Sequence, residues 1–381
     1  MNKLLCRMSK VFTHPHLMKP FVQNWVQSWP YSLGDGSRAF KPREIFLYVT
    51  HDCNAGCAMC DVGQQNLDSV FYRMLGQNDR EALPHAAWEC LIAELAEFGP
   101  KIYLNGVEPL LYPRLLDLVA TIKRHGLSLQ LVTNGILLER YAADLVRLGT
   151  DSVVVSLDGT EQVHDAIRGP GVYQRAMKGV RALLRCREEL GRLTRVSTNY
   201  CISNLNHAGL GEFAEEMLHR ERIDFVNFTH LNYVTESASA AHNRTFADMG
   251  RATPVSVAGV SPDRVDVETL YDQIRRLRDQ FTDDQIGYSA PLFSSNALRT
   301  YYHEPDRVVA RSRCLTPWTS ATVSAHGDVI IRSRCFEYVA GNVAMQPFLE
   351  IWNGEPYRRL RRRLRETGLS PVCLRCCGSL A

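Results

Sequence analysis

The stretch VTHDCNAGCAMCDVG, residues 49–63, places Cys53, Cys57 and Cys60 within eight positions. This C-x3-C-x2-C spacing lets one loop wrap three thiolates around a single inorganic centre. A disulfide takes two cysteines, and a structural zinc site or a closed iron–sulfur cluster takes four. Three protein ligands leave one metal position open, and an open position is where a metal site does chemistry. A zinc knuckle with His51 as fourth ligand is the alternative these residues leave standing.

The elements around the loop decide where it sits. EIFLYVT (44–50), directly before it, is a β-rich apolar run. AAWECLIAELAEFG (86–99) then has helical periodicity closed by Gly99. The alternation continues through KIYLNG (101–106), a helix over 113–126, SLQLVTNG (128–135), a helix over 137–149 and SVVVSLDG (152–159). A long helix over about 172–191, the strand TRVSTNYCIS (194–203), a helix near 207–221 and the strand DFVNFTHL (224–231) complete it. Strands alternating with helices predict a parallel sheet with right-handed crossovers, closed part-way into a (β/α)6 barrel of TIM type. Its site should lie at the C-terminal ends of the strands, where the three-cysteine loop falls.

C-x3-C-x2-C after the first strand of a βα barrel resembles the radical S-adenosylmethionine (SAM) superfamily. There three thiolates hold a [4Fe–4S] cluster whose fourth iron binds the amino and carboxylate groups of SAM. Met59 stands where family members often carry an aromatic residue. It still offers a polarisable side chain and a backbone to the adenine. LNGVEPLL (104–111) resembles the family's Gly-Gly-Glu-Pro segment, with Val107 in place of the second glycine. The match implies that Gly106, Val107 and Glu108 lie beside the methionine amino group, with Glu108 as acceptor for the ammonium. VVVSLDGTEQVHDAIRGPG (153–171) resembles the Ser-x-Asp-Gly segment, which implies that Ser156 and Asp158 face the ribose or methionyl group. Arg168 would clamp the SAM carboxylate or order its loop by pairing with Asp165. TNYCISNLN (198–206) matches the polar fifth strand, making Asn199 a ribose contact.

The C-terminal stretch carries CLTPWTSATVSAHGDVIIRSRC (314–335), GNV (341–343), IWNGEPYRRLRRRL (351–364) and CLRCC (373–377). It resembles the SPASM or shorter twitch extension of radical SAM enzymes, which houses auxiliary iron–sulfur clusters. The resemblance implies one auxiliary [4Fe–4S] cluster on Cys314, Cys335, Cys373 and Cys376, with Cys377 able to replace Cys376. A structural zinc in the same four-cysteine cage is the alternative.

Of twelve cysteines, eight cluster at these two places; Cys6, Cys90, Cys186 and Cys201 stand alone and are expected to be ordinary thiols. Such usage suits metal ligation in a reducing cytoplasm better than disulfides. The composition, 45% hydrophobic and 22% charged, is that of a globular protein, and a net charge of +3 gives no reason to expect nucleic acid. No apolar run is long enough to span a membrane. The basic N-terminus, MNKLLCRMSKVF, could lie on a membrane surface but is expected to pack on the fold. The arginines of 354–367 are expected to form a solvated face, or a docking face for an acidic flavodoxin- or ferredoxin-type electron donor.

The chain therefore divides into an extension (1–42), a core partial barrel (43–235), an insertion and linker with a helix (236–309) and a small auxiliary-cluster domain (310–381). The reaction implied is reductive cleavage of SAM and hydrogen-atom abstraction from a small molecule such as a sugar, amino acid or natural-product intermediate. Peptide-modifying members often carry an N-terminal recognition domain, for which residues 1–42 are short, so a peptide substrate is the second reading. A non-catalytic metal-binding scaffold is the third, and Glu108, Ser156 and Asp158 argue against it. His230, Asn232, Tyr233, Glu236, Tyr301, Tyr302 and His303 are candidates to line the substrate pocket.

Overall fold

Seven strands with buried, branched apolar residues pair in parallel and in chain order: β1 (Glu44–Leu47), β2 (Lys101–Leu104), β3 (Leu129–Thr133), β4 (Ser152–Ser156), β5 (Arg195–Ile202), β6 (Phe225–His230) and β7 (Ile286–Ser289). The computed structural model describes residue 26 and residues 29–75, 80–309, 313–331 and 336–376. The N-terminal tail up to residue 25, Cys335 and Cys377 therefore lie outside the described residues. The six strands expected from sequence are present. The seventh, in the segment IGYSAP, extends the sheet beyond them, pairing Val226 with Ile286 and Thr229 with Ser289.

Alternation along each strand separates two faces. In β4, Val153 and Val155 are fully buried, whereas Ser152, Val154 and Ser156 on the other face are half-buried. Helices cover the first face. Leu138–Arg147 buries Leu138, Ala142, Leu145 and Val146, and lies against Val172–Glu189. Gly179 makes that approach possible, since a Cβ there would stand 2.5 Å from Leu138 Cβ. The removal of Val and Leu side chains from water stabilises by about 1.5–3 kcal/mol each.

The sheet does not stop at β1. Strand β8 (Ser320–Val323) pairs in parallel with β1 on the side away from β2, and β9 (Asp328–Ile330) and β10 (Val339–Asn342) continue it antiparallel. The order is β10-β9-β8-β1-β2-β3-β4-β5-β6-β7, and β7 does not pair back to β8, so the barrel is partial. The C-terminal hairpin thus joins the barrel sheet directly: Tyr48 N donates to Val323 O at 2.9 Å, next to the cysteine loop.

Two segments differ from the sequence reading. Residues 236–245, in a stretch (236–262) whose composition reads as a loop-rich insertion, form a helix capped by Thr235, whose hydroxyl accepts from Ala238 N. The arginine face of the helix Glu355–Thr367 is solvated only in part: Arg359 is exposed, and Arg358, Arg362, Arg363 and Arg365 are half-buried. Arg361 is fully buried between Trp352 and Tyr357, with ring centroids at 4.4 and 4.9 Å. It donates to Pro317 O, Ser37 O and Asn353 Oδ1. Arg359 and Arg363 reach Asp248, Arg362 reaches Glu355, and Arg365 donates to Gly34 O. The helix rivets neighbouring segments together because its guanidinium groups are long enough to reach carbonyls on both flanks.

Candidate active site

The cysteine loop is organised by its own backbone. Cys60 N donates to Cys57 O, Ala58 N donates to Ile167 O, and the Gln64 amide donates to Gly56 O at 2.8 Å and Cys57 O at 3.1 Å. Gly63 is tucked so closely that a Cβ would stand 2.9 Å from Ala55 O. Segment 253–261 crosses above. Ser256 N donates to buried Asp61 Oδ2, Ser261 N donates to Asn204 Oδ1, and a Cβ on Gly259 would stand 2.2 Å from Ala58 O. Met59 is buried with Ala55, Cys57, Ile167, Leu231 and Val260, and Cys201 packs against the same group.

Three thiols in this setting fit a cluster. Burial pushes the Cys57 thiol up to about 12, partly offset by the Arg168 guanidinium, whose Nη1 is 3.6 Å from Cys57 Sγ. A buried thiol gives up that proton to a soft metal. The Asn134 amide lies 4.0 Å from Cys53 Sγ. Among the described residues, no three His, Cys, Asp or Glu side chains close around a single ion. A four-iron cluster places its ligand sulfurs on different irons and needs a wider triangle. His51 turns elsewhere: its ring stacks on His326 at 5.8 Å.

The two acidic residues singled out in the sequence lie beneath the loop as braces. Glu108 is 1% exposed, and its Oε1 accepts from Leu110 N (3.0 Å) and Thr133 Oγ1 (2.7 Å) while Oε2 accepts from Asn134 N (2.7 Å). Its carboxyl is nevertheless raised, because burial outweighs these donors. Asp158 is fully buried: Oδ2 accepts from Arg168 Nε at 2.6 Å and Oδ1 from Cys201 N at 2.8 Å. Both oxygens of Asp158 are thus engaged within the protein, one by Arg168 and one by Cys201. The Arg168–Asp165 pair expected from sequence is corrected. Asp165 instead accepts from Gly171 N and Tyr173 N at the start of the next helix, leaving Arg168 to Asp158.

Gly106 has φ +111°, and a Cβ would stand 2.3 Å from the Tyr48 ring, so glycine is required where β2 turns past β1. Gly106 is exposed at the mouth, with Val107 half-buried beside it.

The lumen joins Ser156 and Asn199, both singled out from the sequence, to Asn227, Thr229 and Ser289, which the sequence reading missed. Ser156 and Asn199 are paired across β4 and β5, Asn199 and Asn227 across β5 and β6, and Thr229 and Ser289 across β6 and β7. Asn227 Nδ2 donates to Asn199 Oδ1 (2.6 Å) and Ser289 Oγ (3.1 Å), and Thr229 Oγ1 donates to Asn199 Oδ1 (2.8 Å). Among the described residues, Ser156 Oγ and Asn199 Nδ2 have no partner. The signal was in VNFTH, where polar residues recur at every second position facing away from the helices.

The proposed pocket residues mostly lie outside the lumen. His230, Tyr233, Tyr301 and Tyr302 are buried behind β6. Tyr302 OH bonds His230 Nδ1 at 2.8 Å, Tyr233 OH donates to Tyr301 O, and Tyr301 OH donates to Leu231 O. Burial lowers His230 to about 3. His303 is exposed and bonded to Val265 O, Glu236 is exposed, and Asn232 is half-buried.

At the C-terminus, Cys373 is buried, and its thiol is pushed far up by burial and by the nearby sulfurs of Cys376 and Cys314. Cys376 N donates to Cys373 O at 3.2 Å, closing the C-x2-C turn. Cys314 and Cys376, both half-buried, therefore lie near the buried Cys373.

Comparison with known proteins agrees with this geometry. Residues 47–203 match the radical SAM superfamily, and residues 314–377 match the SPASM iron-sulfur cluster-binding domain. The Fe-coproporphyrin III synthase of Methanosarcina barkeri is 29% identical over 329 residues, 80% of this chain and 72% of that protein. The pre-heme d1 synthase of Dinoroseobacter shibae is 25% identical over 363 residues, 88% of this chain and 79% of that protein. Streptococcus suis SuiB, solved with S-adenosylmethionine and with its precursor peptide, superposes in the former at a TM-score of 0.58 and 15% identity. That match covers 94% of this chain and 78% of SuiB, a likeness of fold. The chain belongs to the radical SAM superfamily: it is an enzyme with a SAM-binding [4Fe–4S] cluster and a C-terminal auxiliary-cluster domain.

Proposed function

We propose that the enzyme cleaves SAM at a cluster held by Cys53, Cys57 and Cys60 and oxidises a small molecule bound in the lumen of β4–β7. When bound, the cluster and SAM supply one-electron cleavage of the sulfonium, giving methionine and a 5′-deoxyadenosyl radical that takes a substrate hydrogen atom. The observation that carries this reading is the placement of three thiols at the strand ends, directly over a polar lumen with unused donors.

Each residue then has a task. Ser156 and Asn199 hold the ribose with the hydroxyl and amide that the protein leaves unpaired. Gly106 and Val107 offer exposed backbone to the methionyl group. Arg168 keeps Nη2 for the SAM carboxylate, with Asp158 fixing its plane. Glu108 braces Asn134 and has one acceptor place left for the ammonium. Met59 and segment 253–261 exclude water from the loop. Cys314, Cys335, Cys373 and Cys376 hold one auxiliary [4Fe–4S] cluster. Radical abstraction needs no general base; it needs the substrate hydrogen held in near-attack geometry.

Asn227, Thr229 and Ser289 are neutral donors and acceptors, suited to a substrate bearing hydroxyl or amide groups. The two relatives described above, aligned over 80% and 88% of this chain, carry names of tetrapyrrole synthases, which supports a small molecule over a peptide. A flavodoxin- or ferredoxin-type protein would supply the electron, in the cytoplasm.

The test is anaerobic turnover of reconstituted, reduced protein, following 5′-deoxyadenosine and methionine. Changing Cys53, Cys57 and Cys60 together to alanine should abolish both products while the chain stays folded. Undiminished deoxyadenosine in that variant overturns the proposal.

A further inference from the structure

The helix Glu161–Arg168 ends against the cysteine loop, and two bonds join them. Ala58 N donates to Ile167 O at 2.9 Å, and the next residue of the helix, Arg168, donates from Nη1 to Cys57 Sγ at 3.6 Å. Because the first bond is between backbones, the placement of the helix sets the second. Asp158 then fixes the guanidinium: Oδ2 accepts from Nε at 2.6 Å, and Oδ1 accepts from Cys201 N at 2.8 Å, which ties the carboxylate to β5. The side chain of Arg168 is 11% exposed and that of Asp158 is 0% exposed, so water screens neither charge well.

The pair is neutral as a whole, but the Cys57 sulfur meets its two ends unequally. Burial has the largest effect on this thiol and raises it. Next comes the guanidinium, which lowers it and outweighs the opposing Asp158 carboxylate. The cation therefore prevails at this sulfur. A planar guanidinium can serve both partners at once, Nε on Asp158 and Nη1 on the sulfur, where a lysine has one ammonium for the two.

We infer that Arg168 raises the reduction potential of the SAM-binding cluster through the Nη1–H···Sγ contact with Cys57. The inference rests on the reading above that Cys57 is a cluster ligand. Reduction takes one electron from the donor protein and adds one negative charge to the cluster and its thiolates. No proton moves, and Arg168 stays a cation throughout. An N–H donor and a positive charge at a ligand sulfur stabilise the reduced state more than the oxidised one, and hydrogen bonds to the sulfurs are among the levers that set cluster potential. The cluster must hold the electron before SAM is cleaved, so Arg168 governs how much of the enzyme a given donor can charge.

The test removes the pair together so that no charge is stranded. Arg168→Met/Asp158→Asn leaves the net charge of the site as it is and deletes the donor to sulfur. Arg168→Lys keeps both charges but has one ammonium, which Asp158 holds. EPR-monitored potentiometry of the anaerobic holoenzyme, run without SAM, reads the potential apart from any contact of Arg168 with the SAM carboxylate. A parallel sample with SAM identifies the signal of the SAM-binding cluster, and the auxiliary cluster serves as reference. In the double variant the reduction equilibrium of the SAM-binding cluster should fall about tenfold, which is 59 mV for one electron, and the reference should not move. A wild-type potential in the double variant would overturn the inference. So would equal shifts of both clusters, which would assign the effect to a general change in the fold. If the double variant assembles no SAM-binding cluster, Arg168→Lys decides by the same criterion. Loss of that cluster from both variants would also overturn the inference, making Arg168 a brace of the loop. Failure of the ligand reading looks different: the variant lacking Cys53, Cys57 and Cys60 would then keep a SAM-responsive signal.

Discussion

Arg168 and Asp158 form a buried ion pair under the cysteine loop, with Nε to Oδ2 at 2.6 Å, on two elements that also carry the loop's neighbours. The pair joins the end of the helix Glu161–Arg168 to the exit of β4, and through Cys201 N it reaches β5. The guanidinium is thereby aimed at Cys57. Asp158→Asn keeps the shape but strands a buried cation. The expected cost is about 3–5 kcal/mol, read as a lower midpoint of chemical unfolding. Part of that loss should return in Arg168→Met/Asp158→Asn, where no charge is left unpaired. A single Asn variant as stable as wild type would show that the pair does not hold the site.

Glu108→Gln replaces one acceptor oxygen by an NH2 group facing an N–H or O–H donor. Because the carboxylate accepts from Leu110, Thr133 and Asn134, stability should fall by about 1–3 kcal/mol even without SAM. SAM affinity should fall as well if the remaining acceptor place serves the ammonium. Equilibrium dialysis with labelled SAM and an unfolding curve separate the two effects. Unchanged stability would contradict the brace.

His230 gives a pH dependence with a defined sign. Burial holds it at about 3, below the 6.5 of the free side chain. Between these values the unfolded chain binds more protons than the folded one, so stability rises with pH and is lost on acidification. From pH 6.5 to 4.5 this one residue should remove about 2.3 kcal/mol, the slope rising from half of 1.36 kcal/mol per unit at pH 6.5 to nearly all of it. His230→Gln should flatten that part of the profile. Comparing the two proteins cancels contributions from the other histidines and from cluster loss. Parallel pH profiles would show that folding leaves the affinity of His230 for a proton unchanged.

Iron content tests the two-cluster arrangement. Anaerobic protein should carry about 8 irons per chain, in two clusters of four. The variant lacking Cys53, Cys57 and Cys60 should retain about 4. Cys373→Ala/Cys376→Ala should still cleave SAM but release little oxidised product. About 4 irons with about one zinc in the wild type would make the C-terminal site structural.

The C-x3-C-x2-C loop and the βα alternation are legible in the chain because both are local. Ligand spacing within eight residues and period-2 or 3.6 apolar patterning need no distant partner to be read. The spacing of Cys373 and Cys376 is legible for the same reason. Whether Asp158 meets a ligand or Arg168 could not be read, since a carboxylate's partner depends on which strand end folds over it. VNFTH announces a polar face on β6, but only the register with β5 and β7 brings Asn227, Asn199 and Ser289 together.

What the sequence by itself determined is the family, the sheet order through β6 and the positions of the thiols, all consequences of short-range pattern. Only the tertiary structure decided that the hairpin β8–β9 pairs onto β1. It alone buried Glu108, Asp158 and Arg361, and moved His230 and Tyr302 behind the barrel wall. The physical reason is the same in each case. Burial and charge pairing are sums over neighbours far apart in the chain, and the low dielectric they create exists only once those neighbours have packed.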